Sequence, residues 1–131
     1  MSYKTVQCLT LSDLDKFVND YFYLFNDKKI ILLNGELGAG KTAFVKALAK
    51  KIGIKENITS PTFNYMKLYD GLAHVDLYNY RGSLDEFEDY WDDLIVAIEW
   101  SDLIEHQYQS YVRVDVKMNG DYHEYTITEV K

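Results

Sequence analysis

Residues 30–42 read Ile-Ile-Leu-Leu-Asn-Gly-Glu-Leu-Gly-Ala-Gly-Lys-Thr. The part Gly35-Glu36-Leu37-Gly38-Ala39-Gly40-Lys41-Thr42 fits G-x-x-x-x-G-K-[ST] at every fixed position. Residues 30–33 form a continuous β-branched and leucine run, short enough for a strand covered on both faces. From Thr42 to Ile52 the spacing predicts a helix, with Gly53 suited to the left-handed position that ends it. Phe44, Leu48 and Ile52 share one face with Val45 and Ala49, leaving Lys46, Lys50 and Lys51 wet. Strand, glycine loop and helix in that order form the context in which this spacing holds an anion.

Glycines at these positions permit positive φ angles, so that backbone N–H groups can turn inward around a phosphate. Lys41 is expected to reach the β- and γ-phosphates, and the Thr42 hydroxyl to ligate magnesium. The positive end of the following helix adds to the attraction. The expected nucleotide-binding residues are Glu36, Leu37, Gly38, Ala39, Gly40, Lys41, Thr42 and Ala43, and the expected cofactors are ATP or ADP with Mg²⁺.

Such a site also needs a carboxylate at the end of a neighbouring strand, to hold the magnesium or its water. Glu99 directly follows the second wholly apolar run, residues 94–98, so it should emerge at that strand's C-terminal edge. Asp76 lies in His74-Val75-Asp76-Leu77-Tyr78, where alternation puts residues 74, 76 and 78 on one face. With Lys41, these two carboxylates make the expected catalytic set, and with Thr42 the expected metal-binding set. His74, a lone histidine in a strand, reads first as structural, with a catalytic role as the weaker alternative. Ser60-Pro61-Thr62 holds the only proline; it is a rigid lead into the next strand, or a loop whose two hydroxyls sense the nucleotide. Trp100, beside Glu99, fills core space or borders the nucleotide.

Farther out, residues 6–9 suggest a short opening strand. Ser12 is the expected N-cap of an amphipathic helix, with Asp13 and Asp15 in its first turn. That helix should give way to a polar turn at 26–29. Asp70-Gly71 and Asn119-Gly120 are hairpin signals, each between aromatic or alternating segments. Residues 83–91 should form an acidic helical segment. The acids from Asp85 to Asp93 read as a solvated face, with docking of a basic partner as the alternative. Together these elements predict one domain over residues 1–131, an α/β three-layer fold with a mixed central sheet flanked by helices.

Composition narrows the function. A net charge of −7 on 131 residues argues against autonomous nucleic-acid binding, which draws on clustered Lys and Arg. One cysteine, Cys8, and no ~20-residue apolar window fit a cytoplasmic protein with no membrane span. Arg81 and Arg113 are the only arginines. That disfavours a small-molecule P-loop kinase, whose lid clamps the transferred phosphoryl group with several. No Asn-Lys-x-Asp segment reads guanine, so ATP is preferred over GTP. A nucleotide-dependent assembly module is a further alternative.

The phosphate loop, Ser60-Pro61-Thr62-Phe63, His74-Val75-Asp76-Leu77-Tyr78 and Ile98-Glu99-Trp100 occur in one ordered set. In this the chain resembles the TsaE (YjeE) family, P-loop ATPases of bacterial tRNA threonylcarbamoyladenosine (t6A) biosynthesis, over roughly residues 5 to 115. The resemblance implies that Ser60-Pro61-Thr62 is a first switch, residues 74–78 a second, Glu99 with Thr42 the magnesium ligands, and Trp100 an aromatic near the nucleotide. It implies a partner, the TsaB–TsaD pair that modifies adenosine 37 of ANN-decoding tRNAs, with hydrolysis supporting the partners' turnover. Three positions depart from the family pattern. Asn79 follows Tyr78 where an arginine is usual, and the arginine comes at Arg81. Asp15 or Lys16 stands where a threonine near the adenine is common. The acidic run at 85–93 replaces a Gly-Leu-Glu-Glu segment.

Overall fold

The computed structural model describes residues 2–36, 40–59, 61, 64–78, 80–101 and 108–131. The elements follow in the order β1 (Ser2–Cys8), α1 (Leu11–Lys28), β2 (Ile30–Gly35), α2 (Lys41–Ile52), β3 (Met66–Tyr69), β4 (Leu72–Asp76), α3 (Asp85–Glu88), β5 (Ile95–Glu99), β6 (Tyr111–Asn119) and β7 (Tyr122–Val130). All seven strands join one sheet in the order β1-β7-β6-β2-β5-β4-β3. Its centre, β6-β2-β5-β4, is parallel, and β7, β1 and β3 attach antiparallel. The mixed α/β sheet expected from the sequence is therefore present, and both predicted hairpins close at Gly71 and Gly120.

Alternation sorts each strand between two cores. Ile31, Leu33, Leu72, Ile95, Ala97, Val112, Val114, Tyr125 and Ile127 point to the face covered by α1 and α2. Leu32, Ala73, Val75, Val96 and Ile98 point to the other, closed by Leu84, Phe87 and Trp91 around the short α3. On the helical side, Phe44 of α2 meets Phe25 of α1 edge-on with centroids 5.5 Å apart, and Phe17 lies 5.6 Å from Tyr125. Each such ring contributes about 1.5–3 kcal/mol by burial. This cluster fastens α2, and hence the loop before it, to the sheet.

Three local expectations shift. The cap of α1 is Thr10, not Ser12: Thr10 Oγ1 accepts the Asp13 N–H at 3.1 Å while the Asp13 carboxylate accepts the Leu9 and Thr10 N–H groups. Two reciprocal bonds outcompete the single one a serine two residues later could offer. The helix also runs through residues 26–28, and the turn contracts to Lys29, whose φ is +69°. The acidic segment at 83–91 is α-helical only over Asp85–Glu88. Beyond it the backbone tightens into bonds three residues apart, Tyr90 N–H to Phe87 O at 3.0 Å and Trp91 N–H to Glu88 O at 3.2 Å, while Tyr108 donates to the Glu88 carboxylate and Tyr80 to that of Glu86. Burial and the Glu86 carboxylate push the Tyr80 hydroxyl up to about 12.

Candidate functional site at the C-terminal edge of the parallel strands

The parallel strands all end on one edge, and the chain reverses its direction of travel there. From β2 it moves out to β4, and β5 then inserts between them. Crevices for ligands form outside such edges. Gly35 ends β2, Asp76 ends β4 and Glu99 ends β5. Asp76 and Glu99 are direct register partners on the face that carries α2. The structure thus brings together the two carboxylates chosen from the sequence.

Gly35 is held against β6 so closely that a Cβ there would lie 2.5 Å from the Val116 carbonyl oxygen. At the far end of the loop Gly40 has φ +117°, and an added Cβ would meet Tyr125 Oη at 2.7 Å. Only glycine fits either place. Tyr125 Oη donates to the Gly40 carbonyl at 3.0 Å. Sequence reasoning missed this support, since nothing near the loop signals a residue 85 positions away. Leu37, Gly38, Ala39, Ser60 and Thr62, together with Phe63 and Asn79, lie outside the described residues.

Lys41 opens α2 and is 5% exposed. Its Nζ donates to the Gly35 carbonyl and sits 3.4 Å above the centroid of the Trp100 ring. Trp100 is set in this position by its own backbone, whose N–H donates to Leu33 O at 3.1 Å and whose φ is +61°. A left-handed tryptophan is unusual, and such outliers gather at functional sites. Tyr78 packs on the other ring contact of Trp100, with centroids 5.1 Å apart. Tyr78 is not on the strand face with His74 and Asp76 as alternation suggested. The strand stops at Asp76, where Asp76 Oδ1 accepts the Tyr78 N–H at 3.0 Å and turns the chain.

Burial holds the Asp76 carboxyl above the usual carboxylate range; the neighbouring Glu99 adds to this, while the Tyr78 N–H, His74 and Lys41 oppose it. Glu99 is 3% exposed, and its Oε2 lies 2.5 Å from Nε2 of the fully buried His74. The lone histidine is therefore tied to a site carboxylate. Thr42 and Ala43, the next residues of α2, line a cavity of about 390 Å³ that continues along Leu11, Leu14 and Asp15 of α1. Asp15 is paired with Lys50 at 2.8 Å and Lys16 with Asp20 at 2.8 Å. Glu36 and Trp100 line a second cavity with Arg113 and Asp115.

A hard divalent cation suits this donor set. Mg²⁺ binds one or two carboxylates and leaves its other positions to phosphate and water; the edge offers Asp76 and Glu99, and Thr42 lies in the first turn of α2.

Residues 9–127 match the family described as "Threonylcarbamoyl adenosine biosynthesis protein TsaE". The chain belongs to the TsaE family. A Treponema pallidum protein named "tRNA threonylcarbamoyladenosine biosynthesis protein TsaE" is 35% identical over 108 residues, 75% of this chain and 79% of the relative. TsaE proteins of the same name from Borreliella burgdorferi and Bacillus subtilis are 41% and 39% identical over 64% and 70% of this chain. The matched span covers 68% of the Borreliella protein and 63% of the Bacillus one, less than two thirds of the latter. Among solved structures, Bacillus subtilis YdiB superposes with a TM-score of 0.68 at 28% identity, covering 99% of this chain and 87% of YdiB. No described helix of this TsaE-family chain is long and apolar enough to cross a membrane.

Proposed function

We propose that this TsaE-family chain is a Mg²⁺-dependent ATPase that serves threonylcarbamoyl modification of tRNA. The observation that carries the reading is the convergence of Lys41, Asp76 and Glu99 at the loop end of β2, β4 and β5. Lys41 supplies a cation for the β- and γ-phosphates, and the N-terminus of α2 supplies the positive end of its dipole. Thr42 and Glu99, with Asp76 beside them, would hold Mg²⁺, which when bound neutralises charge on the transferred phosphoryl oxygens. The cavity between α1 and α2, apolar at Leu11, Leu14 and Ala47, has room for the base.

A kinase reading finds little support. Arg81 is exposed, and Arg113 Nε binds the Asp115 carboxylate at 2.9 Å on β6. The names of the relatives favour the tRNA pathway, and the TsaB–TsaD pair is the partner we propose. The test measures ATP hydrolysis by the purified chain with and without TsaB–TsaD, alongside capture of that pair in ATP. Stimulated hydrolysis and ATP-dependent capture are expected. Hydrolysis without capture would remove the partner and leave the ATPase; no hydrolysis in either arm would remove both.

A further inference from the structure

We propose that His74 is a positioning residue for Glu99, fixing the direction in which that carboxylate meets the metal. The inference rests on the ATPase reading above and adds a residue to it. His74 is 0% exposed and stands on β4 opposite Ala97, two residues before Glu99 on β5. Ala97 presents only a methyl group on that face, so the imidazole has room across the strand pair. A glutamate at a strand end would ordinarily extend into water. Here the Glu99 side chain instead turns back along the sheet, and its Oε2 comes 2.5 Å from His74 Nε2.

The protonation of the ring follows from the same geometry. Nδ1 is buried and has no hydrogen-bond partner among the described residues. A proton on Nδ1 alone would bury an unsatisfied N–H, whereas a bare lone pair there is the lesser penalty. The Nε2–H tautomer therefore donates to Glu99. Asp76 lies directly beside Glu99 in register. Two adjacent carboxylates repel, and an N–H anchoring one oxygen of Glu99 keeps the pair from splaying apart. Anchoring one oxygen leaves the other for metal or its water, which is how groups hydrogen-bonded to a ligating carboxylate act.

The test uses the full chain with ADP, and Mn²⁺ in place of Mg²⁺, read by loss of the free Mn²⁺ EPR signal. Hydrolysis of Mg-ATP and thermal melting are measured in parallel. His74→Leu keeps the volume without a donor; His74→Gln keeps an N–H near the Nε2 position; His74→Asn keeps one near Nδ1 only. Leu and Asn should raise the Mn²⁺ half-saturation and lower kcat by about 10–100-fold. Gln should stay within about threefold of wild type. Adding His74→Leu to Glu99→Ala should cause no further loss, because the two act through one contact. If the leucine variant does not fold, the Asn–Gln comparison makes the same decision. Equal loss in Gln and Asn, wild-type metal binding in both, or tighter binding in Leu would overturn the proposal. A Glu99→Ala chain that holds Mn²⁺ normally would instead overturn the metal role of Glu99, and this inference with it.

Discussion

The Lys41 ammonium rests 3.4 Å above the centre of the Trp100 indole, and the same ammonium donates to the carbonyl of Gly35 at the start of the loop. A cation over an indole is worth about 0.5–2 kcal/mol, depending on how far it is desolvated. The lysine is thus held between the two ends of the site before any phosphate arrives. A phosphate that draws Lys41 away must change the surroundings of the Trp100 ring. Adding Mg-ADP should therefore alter Trp100 fluorescence, measured in a Trp91→Phe background so that one indole reports. A spectrum indifferent to Mg-ADP at saturating concentration would count against the nucleotide site.

Lys41→Ala and Glu99→Ala test the two charges separately. Each should lower Mg-ATP turnover at least about tenfold, because on the ATPase reading proposed above each charge would act on the transferred phosphoryl group or its metal. Neither should unfold the chain, since the aromatic cluster around Phe44 is untouched. Circular dichroism checks the fold beside the kinetic assay. Turnover near wild type in the Glu99 variant would remove that carboxylate from the mechanism.

Much of this was legible because periodicity and spacing are local. The strand at β2, the helix ended by Gly53, both hairpins and the strand before Glu99 follow from patterns within the segments themselves. The need for a carboxylate at a neighbouring strand's end singles out Asp76 and Glu99 as separate candidates, and the register makes them neighbours. What the sequence hid is what comes from across the sheet. Tyr125 reaches Gly40 from the last strand, and His74 reaches Glu99 from a neighbouring strand where alanine makes room. The Thr10 cap was hidden for a different reason: Ser12 offers the same chemistry two residues on, and only the reciprocal bonds of Asp13 decide between them.

The capping box carries its own prediction. Thr10→Ala should destabilise the chain by about 1 kcal/mol in chemical denaturation. Backbone N–H groups of Thr10 and Leu9 hold the Asp13 carboxyl below its ordinary value. A depressed folded value means that the stabilisation is complete above the unfolded carboxylate range, near pH 4, and fades as pH falls through the folded value. Asp13→Asn should therefore be destabilising at pH 7, with the gap to wild type closing under strong acid. A gap that widens as the pH falls would contradict the bonding.

The last prediction concerns how the loop is braced. Gly40 carries φ +117°, and a methyl group there would crowd Tyr125 Oη and stand 2.9 Å from His123 Nδ1. Gly40→Ala is strained by its backbone before any contact is counted, so it should both destabilise the chain and weaken Mg-ADP binding. Tyr125→Phe separates those effects. It removes only the Oη bond, and the Gly40 carbonyl keeps the Phe44 N–H at 3.1 Å, so no buried acceptor is orphaned. The stability loss should stay at the low end of a single hydrogen bond, about 0.5 kcal/mol. Its effect should fall on the loop, as weaker Mg-ADP binding in isothermal titration. Wild-type affinity in Tyr125→Phe would mean that α2 alone holds the loop in shape; wild-type affinity in Gly40→Ala would mean that the described geometry of Gly40 is not the one that binds phosphate.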